Sequence, residues 1–249
     1  MQRYFIDQNA DVNQRFFITD QNDIHHITKV MRYQNGDQII ITFSDQNVYK
    51  CKIENMTMAQ IEITLIEKIE IDSELPQHIT ICSGLIKADK YEWMIQKSTE
   101  LGASQFIAVG MQRSVVKLNE NKVIKKLERW QKIIKEAAEQ SYRLIIPEIE
   151  YKSNLKEIYD IINEYDYVLI AYEEEAKRGG TSNLHQIGSN LKKGQKVLII
   201  FGPEGGLSEK EVALFEDGYN ISLGPRILRA ETAPLYALAA LSYQLELMR

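Results

Sequence analysis

Two short stretches hold the residue types from which a ligand site could be built. The first is VLIIFGPEGGLSEKE, Val197 to Glu211. An unbroken apolar run enters Gly202-Pro203-Glu204-Gly205-Gly206, where three glycines and a proline forbid regular structure. Ser208 with Glu211 three residues on is the pattern of a capping box and predicts a helix starting there. The second stretch is LGPRILRAETAPL, Leu223 to Leu235: a Gly-Pro turn, two arginines, then Glu231 and Thr232 ahead of an apolar helix. Pro234 suits the first turn of that helix and Thr232 its N-cap. Loops this rich in glycine can bring backbone N–H and C=O groups close to a flat ligand. Such groups suit an adenine or nucleoside, which asks for neutral hydrogen bonds. Neither stretch is a phosphate cradle, since there is no Gly-Lys-Ser/Thr and no G-x-G-x-x-G. Taken alone, GPEGG could also be a tight strand-to-helix turn.

The elements around them show where such loops would lie. From Ile79 onward, the apolar runs ITICSGL, QFIAVG, YVLIAY, KVLIIFG and ISLG alternate with helical segments. Strands buried on both sides and alternating with helices predict a parallel α/β sheet. Ligands of such sheets bind beyond the carboxyl ends of the strands. AYEEEAKRGG, FGPEGG and LGPRILRAETAPL each follow a strand at that edge. The clearest helix is NKVIKKLERWQKIIKEAAEQS, with Val123, Leu127, Trp130, Ile134 and Ala137 in one stripe. Lys122, Lys125, Arg129 and Lys132 make a basic stripe on another face. Before residue 72 the chain reads mainly as β: RYFI, RFFI, DQIIITF, VYKCKI and AQIEITLIEKIEI. One helical interruption there, NDIHHITKVMRY, has Ile24, Ile27 and Val30/Met31 at helical spacing. DSELPQ, residues 72–77, looks like a linker. The expected organisation is a small β-barrel over 1–72 and a larger α/β domain over 73–249.

At 249 residues with 44% hydrophobic and 26% charged residues, the composition is that of a soluble globular protein. No apolar run approaches the length of a membrane span, and the N-terminus carries no export signal. Cys51 and Cys82 have no metal-ligand spacing and read as reduced core thiols, so the cytoplasm is the expected location. The net charge of −5 is unevenly spread. Residues 84–143 hold twelve Lys/Arg against seven Asp/Glu, whereas 1–83 hold seven against twelve and 144–249 eleven against sixteen. A basic segment inside an acidic chain can form a local phosphate-binding field, or can be a solvated helix face. His25 and His26 are adjacent, so on a helix they point apart, and Glu173-Glu174-Glu175 reads as a solvated loop; no metal is expected.

FGPEGGLSEKE and LGPRILRAETAPLYAL together resemble the SPOUT class of methyltransferases, and within it the 16S rRNA uracil-N3 methyltransferase family. HHITKVMRYQNGDQIIITF resembles that family's N-terminal PUA-like RNA-binding domain. KADKYEWMIQKSTELGA, RSVVK and RWQKIIKEAAEQSYRLIIPEI resemble its middle motifs, so the likeness covers nearly the whole chain. Two departures stand out: Met111-Gln112-Arg113 replaces a common Ser-Glu-Arg, and FSDQNVYKCKI lacks a glycine. The resemblance implies a C-terminal trefoil-knotted parallel-sheet domain, a homodimer, and S-adenosylmethionine as methyl donor to 16S rRNA of the small ribosomal subunit. It implies a cofactor held by Ala171, Tyr172, Gly202, Pro203, Glu204, Gly205, Leu223, Gly224, Ile227, Leu228 and Thr232.

Uridine N3 carries a proton, so the reaction needs a base or a positive charge that stabilises the developing uracil anion. Arg229 is the first choice for that charge and Arg143 the second. Glu231 is either the base or the group that orients Arg229. Arg3, Lys29, Arg32, Lys87, Lys90, Arg113 and Lys117 are the expected phosphate contacts. Two other activities fit the same motifs: a SPOUT enzyme acting elsewhere, such as on a tRNA ribose, and a non-catalytic RNA-binding assembly protein.

Overall fold

The computed structural model describes residues 1–172 and 183–248. They divide into two compact units, one of Met1–Glu74 together with Ala138–Ile145 and one of the remainder. A cut at residue 72 alone does not anticipate that the chain returns to the first unit at 138–145.

The first unit contains β1 (Arg3–Ile6), β2 (Phe16–Ile18), α1 (Gln21–His25), β3 (Gln38–Phe43), β4 (Val48–Met56) and β5 (Ile61–Ile69). They form one sheet in the order β1-β3-β4-β5-β2, with β1 and β3 parallel and the other pairs antiparallel. Alternation supplies the core: Ile39, Ile41 and Phe43 of β3 face Ile61 and Ile63 of β5 in one cluster. Asp20 caps α1 by accepting from the backbone of Asn22 and Asp23 at 2.8 and 3.1 Å. The helical stretch then widens into a π-turn over His26–Val30. The wider turn breaks the apolar stripe, so Ile24 and Ile27 are buried whereas Val30 is 57% exposed.

DSELPQ is no loose linker. Glu74 accepts from Arg143 Nε at 2.9 Å and from the Leu144 backbone at 2.6 Å. Arg143 is 2% exposed. This buried ion pair ties residues 138–145 to the end of the first unit.

In the second unit the strands are β6 (His78–Gly84), β7 (Gln105–Val109), β8 (Glu148–Lys152), β9 (Tyr167–Ala171), β10 (Lys196–Phe201) and β11 (Tyr219–Ile221). All pair in parallel, in the order β11-β9-β10-β6-β7-β8. In β10, Val197, Ile199 and Phe201 enter one core while Leu198 and Ile200 enter the core on the opposite face. Both faces are covered, so its sequence reads as a continuous apolar run. β8 escapes that reading because EIEYK sits at the sheet edge and buries only Ile149.

The helices are α2 (Ala88–Glu100), α3 (Glu120–Gln140), α4 (Lys156–Tyr159), α5 (Asn183–Asn190), α6 (Glu209–Ala213) and α7 (Ala233–Ser242). On α3, Trp130, Ile134 and Ala137 are buried as their spacing predicts, and Trp130 packs on Tyr91 of α2 with ring centroids 4.6 Å apart. The basic stripe of α3 is exposed, yet Arg129 clasps Glu92 with two bonds of 2.7 Å. Among the described residues no helix is long and apolar enough to cross a membrane.

Removing Glu74 would take from the buried Arg143 side chain the carboxylate that accepts from its Nε and Nη2. Glu74→Ala should cost about 3–5 kcal/mol in the urea unfolding of the first unit. A loss under about 1 kcal/mol, the scale of an exposed pair, would show that the bridge does not hold 138–145 in place.

Candidate active site

Strand register brings the two glycine loops together. Phe201 of β10 pairs with Ala171 of β9, and Ala171 pairs with Ile221 of β11. Three neighbouring strands therefore end on one line, and the chain leaves them side by side at residues 172, 202 and 222. After β10 the loop doubles back tightly: a Cβ on Gly202 would stand 2.8 Å from the Gly206 and Leu207 backbone. The Gly206 N–H donates to the Pro203 carbonyl at 2.8 Å, closing a turn over Glu204 and Gly205. Ser208 and Glu211 then form both halves of the capping box that starts α6. After β11 the chain is irregular until the Arg229 carbonyl accepts from the Thr232 and Ala233 N–H groups at 2.8 and 3.0 Å. That turn opens α7. Thr232 holds the N-cap position without a side-chain cap bond.

Between these loops lies a cavity of about 400 Å³, within the range of small-molecule sites. Of the expected cofactor residues, Ala171, Tyr172, Gly202, Pro203 and Glu204 line it from one side. Leu223, Gly224, Ile227 and Leu228 line it from the other. Gly205 and Thr232 do not. Gly205 faces the other way, where a Cβ would meet Arg113 Cβ at 2.9 Å, and Gly206 and Leu207 take its place in the wall.

Arg229 and Glu231 both line the cavity, with Arg226 and Lys90. The Lys90 ammonium, near the start of α2, meets Glu231 Oε1 at 2.8 Å, with side-chain exposures of 30% and 13%. Lys90 is thus a wall of the site, a position the sequence reading missed when it grouped this residue with the phosphate contacts. Burial pushes the Glu231 carboxyl up. The hydrogen bond and charge of Lys90, its own backbone and the charge of Arg229 together outweigh burial and hold it below the ordinary glutamate value. Its second oxygen, Oε2, is buried with no hydrogen-bond partner. A buried acceptor left without a donor is costly, so this atom favours a ligand that brings an N–H or O–H.

Two other expectations are corrected. Arg143 does not line the cavity; its guanidinium is committed to Glu74. Arg3 is 2% exposed, donates to the Arg143 carbonyl at 2.9 Å and lies over the Tyr142 ring at 4.8 Å, so it is a core residue and no phosphate contact. Arg113 spends Nη1 on the carbonyls of Gly205 and Leu207, each at 3.1 Å. Lys29, Arg32, Lys87 and Lys117 are exposed. His26 Nδ1 shares a hydrogen bond with the Tyr4 hydroxyl at 2.9 Å. Glu173, Glu174 and Glu175 lie outside the described residues.

Residues 73–242 match the RNA methyltransferase domain family, and residues 18–71 match the RNA methyltransferase PUA domain family. The ribosomal RNA small subunit methyltransferase E of Bacillus subtilis is 48% identical over 254 residues, covering 100% of this chain and 99% of the relative. The chain belongs to the ribosomal RNA small subunit methyltransferase E family. A family member from Neisseria gonorrhoeae, solved bound to S-adenosyl methionine, superposes with a TM-score of 0.82 at 27% identity and 97% coverage of both chains. A Legionella pneumophila putative methyltransferase, solved with the cofactor SAM, gives a TM-score of 0.81 at 28% identity and 96% coverage of both. In this member of the family, the cavity lies between the two loops that follow neighbouring strand ends.

The Lys90–Glu231 pair has a spectroscopic consequence. Without Lys90, two of the influences that oppose burial at Glu231 are lost, its hydrogen bond and its charge. Lys90→Met should therefore raise the Glu231 carboxyl titration relative to the parent, read by carbon NMR of the labelled side chain. An unmoved titration would show that Lys90 does not hold the carboxylate.

Proposed function

We propose that this chain transfers a methyl group from S-adenosylmethionine to N3 of a uridine in 16S rRNA of the small ribosomal subunit. The observation that carries the reading is the meeting of a glycine-walled cavity with Arg229, Glu231 and Lys90 at one line of strand ends. The cavity fits the donor: backbone of Gly202 and Gly224 with the apolar side chains of Leu223, Ile227 and Leu228 suits a nucleoside, and nothing in it resembles a triphosphate clamp. Bound there, S-adenosylmethionine would supply an electrophilic methyl on a sulfonium.

The protein's own groups then answer the demands of the base. The planar Arg229 fork suits two uracil oxygens and spreads the negative charge that N3 deprotonation creates. Glu231 Oε2 is the acceptor available to the N3 proton, and Lys90 fixes its carboxylate through the other oxygen. Lys29, Arg32, Lys87 and Lys117 are exposed, which supports them as phosphate contacts. The exposed apolar residues Tyr243, Leu247 and Met248 at the chain's end support a homodimer, and the expected setting is the cytoplasm.

Arg229→Ala should lower single-turnover methylation by about 10²–10³, the scale of one lost electrostatic donor, with little change in cofactor affinity. Glu231→Gln should be similarly damaging and should recover in part as rising pH ionises the uridine itself. Near-normal methylation by Arg229→Ala would mean another group carries the charge. In the cofactor wall, Gly202→Ala should abolish S-adenosylmethionine binding, because a methyl there collides with backbone rather than with a movable side chain. Unchanged affinity by calorimetry would remove the loop from the site.

A further inference from the structure

We propose that Arg113 and Glu211 are positioning residues that hold the Gly202–Leu207 loop in its cofactor-ready shape from the side facing away from the cavity. The inference rests on the reading above, that S-adenosylmethionine occupies this cavity.

The loop has little to hold itself. Its internal backbone bond is Gly206 N–H to the Pro203 carbonyl, and its glycines carry no side chains to pack. The carbonyls of Gly205 and Leu207 instead accept from a single nitrogen of Arg113, each at 3.1 Å. Gly205 presses on the same residue, so closely that a Cβ would lie 3.2 Å from the Arg113 carbonyl oxygen. Glu211 fastens the far end of the loop. Its Oε2 accepts from the Ser208 N–H and hydroxyl at 2.8 Å, while Oε1 accepts from the Gln112 N–H at 2.8 Å. One buried carboxylate thus serves both as half of a capping box and as a link to the turn after β7.

The link uses the backbone of residue 112 and the side chain of residue 113. The departure from the Ser-Glu-Arg pattern leaves the link intact: Gln112 supplies the backbone N–H and Arg113 is retained. Holding a glycine-rich loop before the ligand arrives moves its ordering cost from binding to folding. The brace touches no reacting atom, so its loss should appear in cofactor affinity and not in the chemical step.

The test is calorimetric titration of the full-length protein with S-adenosylmethionine, followed by steady-state methylation of small ribosomal subunits. Arg113→Ala should raise the cofactor Kd and KM by about tenfold, the scale of one charge-assisted hydrogen bond, with turnover at saturating cofactor little changed. Its RNA affinity should keep the salt dependence of the parent. Glu211→Gln, which can still cap α6 but loses the charge, should weaken the cofactor in the same direction. It decides the matter should Arg113→Ala fail to fold. A parent-like Kd in a folded variant would overturn the brace, as would a salt slope reduced by about one with cofactor affinity intact, which would make Arg113 a phosphate contact. No cofactor binding by the parent protein would instead defeat the assignment of the cavity.

Discussion

Everything at the candidate site depends on the register of three parallel strands. Parallel pairing of β9, β10 and β11 sets Ala171, Phe201 and Ile221 abreast, so three loops far apart in sequence leave the sheet at neighbouring points. A slip of two residues in β10 would keep its apolar alternation yet carry Gly202 away from Leu223 and Gly224. The two-sided burial of Val197 to Phe201 resists such a slip, because each side chain already fills one of two cores. Core packing on both faces of the sheet thus fixes a cavity that lies outside it.

Within that frame the electrostatics are compact. Lys90 reaches the cavity from α2, and Arg226 and Arg229 from the loop before α7, so the cations come from separate parts of the chain. Glu231 sits among them as an ionised carboxylate with one oxygen held and one without a partner. Such an arrangement serves a ligand that is uncharged on arrival and gains negative charge as it reacts. It serves a bound polyphosphate poorly, since the carboxylates of Glu204 and Glu231 share the walls.

The legible parts were those with strong local signals. Apolar runs broken by Gly-Pro mark the ends of β10 and β11, and Ser208 with Glu211 marks a helix start, while the family resemblance supplies Gly202, Pro203, Leu223 and Gly224 as cofactor residues. The parts that escaped depend on contacts between distant segments. Gly205 looks like its neighbours in sequence, but only the fold turns it toward Arg113. Lys90 lies in a basic segment and reads as a solvated charge until α2 brings it to Glu231. Arg3 reads as a phosphate contact and Arg143 as a second choice for the catalytic charge because the carboxylate that pairs with Arg143, Glu74, lies in a stretch with the composition of a linker. The strand Glu148–Lys152 hides because an edge strand with one buried side chain has no two-sided apolar run.

The claim at the centre of this account is that the cavity presents a methyl donor to the N3 edge of a uridine. The direct measurement is transfer of isotopically labelled methyl from S-adenosylmethionine to small ribosomal subunits that lack the modification, with the labelled nucleoside identified by mass spectrometry. The account predicts a single labelled product, N3-methyluridine, in the 16S rRNA. Label on a ribose 2′-oxygen, or no transfer by protein that binds the cofactor, would contradict it.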